Sequence, residues 1–278
     1  MHRLRIGLLL LLPALGAQAE TPAMPGMPAG KAMHMGAMQG GAPPPDARDP
    51  HAYADGLDFG GMRPRFADEQ NFFSLWMQRL EAVRVDDRTS GTWDLQAWFG
   101  RDYDRLTLKS EGDWQAGALE ETTTDLVWTH AVAPFWDAQL GLRYDTLEAT
   151  DDRAWLAAGF QGLAPYWFEV DATAYLGEAG AAAFNLEVEY ELLFTQRLIL
   201  TPRFEADWYS QRDPARGQGA GLSVASFGLR LRYEIRRELA PYLGLEWANA
   251  YGETRRFTEA AGADPRQTRL IAGLRFWF

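Results

Sequence analysis

From about residue 72 to residue 278, apolar and polar residues alternate in runs of roughly ten, separated by turn-like stretches. In YWFEVDATAYLG, Phe168, Val170, Ala172, Ala174 and Leu176 share one face, while Glu169, Asp171 and Thr173 share the other. In AFNLEVEYELLF, Phe184, Leu186, Val188, Tyr190 and Leu192 oppose Asn185, Glu187, Glu189 and Glu191. In TRLIAGLRFWF, Leu270, Ala272, Leu274, Phe276 and Phe278 oppose Arg269 and Arg275. Period two over this length predicts strands, because a helix would scatter the three glutamates around its circumference.

Twelve such segments are read, at 72–85, 91–100, 104–114, 122–132, 135–145, 153–162, 166–177, 183–194, 197–209, 222–235, 239–251 and 267–278. Their connections alternate. The odd ones are polar and often long (VDDRTSG, WQAGALEE, TLEATDDR, GEAGA, SQRDPARGQGAG, GETRRFTEAAGADPRQ), and the even ones are short (GRDYD, VAPF, GLAPY, FTQR, RRELAPY). Ala-Pro-aromatic recurs in three of the short ones, at Ala133-Pro134-Phe135, Ala164-Pro165-Tyr166 and Ala240-Pro241-Tyr242. Long loops at one end and tight turns at the other are the pattern of a bacterial outer-membrane barrel. A sheet in lipid must close, since an open edge strands backbone donors and acceptors. The expectation is therefore an all-β, 12-stranded antiparallel transmembrane β-barrel over 71–278. Trp98, Phe99, Tyr103, Phe135, Trp136, Tyr166, Trp167, Tyr242 and Trp277 lie beside short turns, where an interfacial aromatic belt is expected. A soluble β-sandwich competes, but it would leave rows of Leu, Phe and Trp in water or bury a row of Glu.

The first 70 residues read differently. Basic MHRLR, apolar IGLLLLLPALG and small AQA before Glu20 form an export signal over 1–19. Residues 20–70 are a flexible periplasmic tail rich in Pro, Gly, Ala and Met, too poor in apolar surface to offset the entropy of ordering. The chain contains no cysteine, which excludes disulfides, thiolate metal sites and thiol catalysis. Its net charge is −11, and more negative once Arg3 and Arg5 leave with the signal, which argues against nucleic acid as a partner. The expected location is the cell outer membrane, with lipid as the immediate partner.

Several long stretches, DGLDFGGMRPRFADEQNFF, LQAWFGRDYDRLTLKSEG, GLAPYWFEVDATAYLGE, EYELLFTQRLILTPR, LRLRYEIRRELAPYLGLEW and AGLRFWF, resemble the copper-resistance protein B family of bacterial outer-membrane proteins. The resemblance runs from about residue 55 onward. It implies copper handling at the outer membrane and a Met- and His-rich leader, and it supplies no catalytic residues. The closing Phe278, preceded by alternating aromatic or apolar residues, is similar to the signal read by barrel-assembly machinery.

Five of the eight methionines fall between Met24 and Met38. A thioether is soft and needs no deprotonation, so it selects Cu(I) over hard cations. Met33, His34, Met35 and Met38 place four soft or borderline donors on a Gly-Ala backbone able to wrap one ion, and Met24 and Met27 offer a second, weaker set. Copper, Cu(I) foremost, is thus the expected ligand or cargo, with no organic cofactor and a periplasmic copper protein as a possible exchange partner. Weaker candidates are His51 among Asp46, Asp49 and Asp55, Met62 before the first strand, and Met77, which parity with Arg79 and Glu81 turns toward the lumen.

With the apolar rows on lipid, the polar rows face inward. Glu169, Asp171, Glu187, Glu189, Glu191, Glu205 and Asp207 form an acidic wall, opposed by Arg230, Arg232, Arg269 and Arg275. Mutual pairing is expected, since an unpaired charge in a narrow lumen costs several kcal/mol. A general small-solute channel is the alternative function. An outer-membrane lipid hydrolase would need a Ser–His pair near the extracellular rim. The one barrel histidine, His130, sits beside a short turn, so no enzymatic activity is expected.

Overall fold

The computed structural model describes residues 70–148 and 150–278. The strands are β1 (Phe72–Val85), β2 (Arg88–Gly100), β3 (Asp104–Gln115), β4 (Ala118–Ala133), β5 (Trp136–Leu147), β6 (Thr150–Ala164), β7 (Phe168–Gly177), β8 (Ala182–Glu189), β9 (Leu192–Leu193), β10 (Leu198–Tyr209), β11 (Gly221–Tyr233), β12 (Leu239–Ala250) and β13 (Arg266–Trp277); a helix, α1 (Gly252–Ala260), precedes the last. All pairings are antiparallel between neighbours, and β13 pairs with β1, placing Trp76 opposite Trp277. Since β10 also pairs with β11, the sheet is closed.

Thirteen segments make twelve spans, because β8 and β9 are one strand. Arg203 lies opposite Glu189 and Leu200 opposite Leu192, so the register is the same on both sides of the gap. The interruption falls where Pro202 faces Tyr190. The Tyr190 N–H donates to the Pro202 carbonyl at 3.1 Å, but proline has no N–H to return the bond.

The odd connections are shorter than the sequence pattern predicts. Asp86–Asp87, Ala116–Gly117 and the pair after Leu147 suffice for three of them, with the flanking strands running on. Ala116 and Gly117 both have positive φ, 52° and 88°, a combination that a two-residue hairpin favours and that glycine tolerates. Past the lipid both faces of a strand are wet, so Thr122, Thr123 and Thr124 or Asp151, Asp152 and Arg153 lose period two while the ladder continues. Two connections on this rim are long, 210–220 and 251–265, and α1 lies in the second.

Apolar side chains point outward and stay exposed, among them Leu126, Leu140, Leu142, Leu156, Phe160, Leu176, Leu243 and Leu270. An uninterrupted apolar wall of this kind suits hydrocarbon, not water. Among the described residues no helix is long and apolar enough to cross a membrane. Phe99, Tyr103, Phe135, Tyr166 and Trp167 are exposed at the short-turn rim. Three expected belt members are placed otherwise. Trp98 lies beneath the Arg105 guanidinium, Trp277 shares the inward face of Arg275, and Tyr242 is buried. The third Ala-Pro-aromatic motif is not a turn. It lies inside β12, where parity turns Ala240 and Tyr242 inward.

Candidate functional site

The barrel interior is a polar network with two small apolar clusters, Val127, Trp155, Ala157 and Tyr175 near one end and Val83, Tyr242 and Ile271 elsewhere. β8 and β10 place Glu187, Glu189 and Glu205 around a single buried cation, Arg203. Its Nε and Nη2 both bond Glu187 at 2.7 Å, Nε lies 3.5 Å from Glu189, and Nη1 lies 3.0 Å from Glu205. The fork of a guanidinium matches a carboxylate in this bidentate way.

A second centre forms where β11, β12, β13 and β1 meet. Arg230 donates to Glu81 (Nε 2.7 Å, Nη2 3.2 Å) and to Glu246 (2.9 Å), Arg269 donates to Glu246 at 3.0 Å, and the Tyr242 hydroxyl donates to Glu81 at 2.9 Å. Tyr242 reaches Glu81 by lying across Gly273. A Cβ at that glycine would meet the ring at 2.6 Å. The local sequence logic is plain: β1 supplies an inward carboxylate and β13 supplies the space beside it.

Other ties span the lumen. Lys109 Nζ of β3 lies 2.5 Å from Asp171 of β7 and also donates to Gln139 of β5 at 2.8 Å. Arg79 pairs with Asp94 at 3.1 Å and approaches Glu111 of β3 at 3.8 Å. Glu191, kept inward beside the Pro202 gap, receives Arg232 at 2.7 Å and Arg275 at 3.3 Å. Arg143 pairs with Asp145 at 2.6 Å, and Arg105 pairs with Asp137. A cavity among Arg143, Tyr175, Asn185, Asp207 and Tyr209 measures about 10 Å³, and one among Arg79, Arg230, Arg232 and Arg275 about 20 Å³. Each has room for about one water.

The inward charges named from sequence do not pair wall against wall. Glu187, Glu189 and Glu205 pair within the acidic wall through Arg203, Asp171 pairs with Lys109, and Asp207 accepts from Asn185 at 2.9 Å. Arg230 and Arg269 turn to Glu81 and Glu246. Only Glu191 joins the two walls, and among the described residues Glu169 has no ion-pair partner within 4.0 Å. Lys109, Arg143, Arg203 and Glu246 are participants the sequence reading did not name, and Arg79 and Glu81 entered it only as the inward parity of β1. Parity extended from Glu205 to Arg203, and from Ala248 to Glu246, identifies two of them.

Met77 is a correction. A β-bulge between Met77 and Arg79 breaks the parity on which its lumen assignment depended, and Met77 lies opposite Leu95 and Phe276 on the outward face. His130 also faces outward, its Nδ1 2.8 Å from Asp104, which accepts the Trp128 indole N–H at 3.1 Å. Met24, Met27, Met33, His34, Met35, Met38, His51 and Met62 lie outside the described residues, as does the export signal. Among the described residues no three His, Cys, Asp or Glu side chains are disposed to hold a metal ion. Most of the lumen carboxylates are engaged by guanidinium and ammonium groups.

Residues 71–278 match the family model "Copper resistance protein B precursor (CopB)". Copper resistance protein B of Escherichia coli is 45% identical over 206 residues, covering 74% of this chain and 69% of its own. Its homolog in Pseudomonas syringae pv. tomato is 44% identical over 200 residues, covering 72% and 68%. Among solved structures the NanC porin superposes with a TM-score of 0.49 at 8% identity, over 74% of this chain and 99% of that one. With the family model spanning the whole barrel, and two relatives near 45% identity sharing it, this chain belongs to the copper resistance protein B family.

Proposed function

We propose that this protein is exported to the outer membrane and handles copper there without catalysing a reaction, the Met-rich segment 24–38 capturing Cu(I) at the short-turn side of the barrel. The observation that carries this is the concentration of five methionines and one histidine in 15 residues of a chain whose barrel matches copper resistance proteins. Both the start of β1 and the end of β13 lie at the short-turn rim, where Leu75 and Phe278 exchange backbone hydrogen bonds at 3.0 and 2.9 Å. The chain therefore enters β1 from that side. Copper is cargo, held by thioethers that discriminate against Zn²⁺ and Mg²⁺. A periplasmic copper protein is the proposed exchange partner, and the outward row of β13 the proposed mark for barrel-assembly machinery.

Deleting residues 24–38 is expected to abolish stoichiometric Cu(I) binding by the purified protein while leaving a folded barrel. Unchanged stoichiometry would remove the segment from the mechanism. The competing reading is a general small-solute channel. The ties of Lys109 to Asp171 and Arg79 to Glu111 support a narrow, crossed lumen and so weigh against it. Large copper-independent conductance in planar bilayers, with no copper phenotype on deletion, would favour it.

A further inference from the structure

One interior cavity is chemically unlike the acidic chain around it. It lies in the short-turn half of the lumen and is lined by Gln78 and Arg79 of β1, Glu189 of β8, Thr201 of β10, Arg230 and Arg232 of β11, Tyr242 of β12 and Arg275 of β13. Four guanidinium groups thus converge with one carboxylate. The acids that pair with these arginines are Asp94, Glu111, Glu81, Glu246, Glu191 and Glu234, none of which lines the cavity. Tyr242 is committed to Glu81, and Gln78 donates to Gln96 at 3.0 Å.

Thr201 supplies the second observation. It is 4% exposed, it lines this cavity, and its Oγ1 has no hydrogen-bond partner. Arg230, 5% exposed, also lines it, although its unpartnered Nη1 lies against Gly228 outside the lining. Leaving a buried hydroxyl unsatisfied is unfavourable, and a bound partner would relieve it. The guanidinium lining disfavours a metal cation, and about 20 Å³ gives room for about one small species, a water or a monatomic ion.

We propose that this cavity is a binding site for a single halide-class anion, chloride in the cell, held between the Thr201 hydroxyl and the guanidiniums of Arg79, Arg230, Arg232 and Arg275. The inference rests on the barrel alone and stands whether or not segment 24–38 binds copper.

The test uses the full chain in detergent. Crystals grown with bromide in place of chloride should show an anomalous peak within hydrogen-bond distance of Thr201 Oγ1. A cavity holding water only, or no anomalous signal, overturns the proposal. In solution, the melting temperature should be higher in chloride than in gluconate at equal ionic strength, gluconate being too large to enter. Thr201→Val should lose most of that difference and Thr201→Ser should retain it. Equal melting in both salts, or a difference that survives Thr201→Val, also overturns it. Should Thr201→Val fail to fold, the bromide map and the salt comparison on wild type and Thr201→Ser still decide.

Discussion

At the residue scale, the network around Arg230 and Glu81 illustrates how charge is made tolerable inside this barrel. Two carboxylates, Glu81 of β1 and Glu246 of β12, hold one guanidinium of β11, and the Tyr242 hydroxyl of β12 steadies Glu81. Removing one member of a buried pair leaves the other desolvated and unmatched, at a cost of about 3–5 kcal/mol. Glu81→Ala should therefore lower the unfolding free energy by about that amount in a urea titration of the detergent-solubilised barrel. Arg84, exposed at the rim and 3.8 Å from Asp87, belongs to the class of surface pairs worth about 0–1 kcal/mol, and Arg84→Ala should be nearly silent in the same titration. Met77, turned outward by its bulge, should be equally silent in copper binding: Met77→Ala is expected to leave Cu(I) stoichiometry unchanged, and a lost equivalent would show that its sulfur participates.

At the scale of elements, the two long connections form a unit. The buried Thr254 hydroxyl of α1 accepts the Gly219 N–H at 2.8 Å and lies 2.8 Å from the Ser223 hydroxyl. From there 210–220 reaches the β5–β6 end: Arg153 pairs with Asp213, and Arg216 Nη2 donates to the Asp151 carbonyl at 2.5 Å. The loop thus leans from β10–β11 to β6 and is held at both ends. Thr254→Val keeps the shape but removes the hydroxyl partner of Gly219 and Ser223. It should accelerate limited proteolysis within 211–217 several-fold while leaving urea unfolding of the strands little changed. Equal cleavage rates would show that the Arg153 end alone holds the loop. These connections also mark where period two stops being informative. Between β1 and β2, β3 and β4, and β5 and β6, polar residues on both faces read as loops although the hydrogen-bond ladder runs through them.

At the scale of the whole molecule, the outer wall and the lumen obey opposite rules. Leu142 is 58% exposed on the outward face, and an arginine near the middle of a lipid-facing wall costs about 2–4 kcal/mol. Leu142→Arg should show that loss in folding titrations into liposomes, and a stability equal to wild type would place β5 outside hydrocarbon. In the lumen, Lys109 ties β3 to β5 and β7 across the interior. Cutting the tie with the pair Lys109→Ala and Asp171→Ala should raise single-channel conductance in planar bilayers, and unchanged conductance would locate the narrowest point elsewhere.

The amino-acid sequence by itself determined the number of spans and, from their even count and alternating loop lengths, the rim at which the chain enters and leaves. The spans follow from strict alternation of side chains along a pleated strand, a local property. It also placed the soft donors before residue 39, since composition is visible without coordinates. Only the tertiary structure decided the partners of each charge. Arg203 serves Glu187, Glu189 and Glu205 because those strands are adjacent, whereas Arg230 finds Glu81 because the sheet closes and brings β1 beside β13. It also decided the face of Met77, because one extra residue in β1 reverses parity, and the inward turn of Tyr242, because Gly273 leaves room for its ring. A bulge, a ring closure and a space beside a glycine are relations between strands, and no pattern within a single strand encodes them.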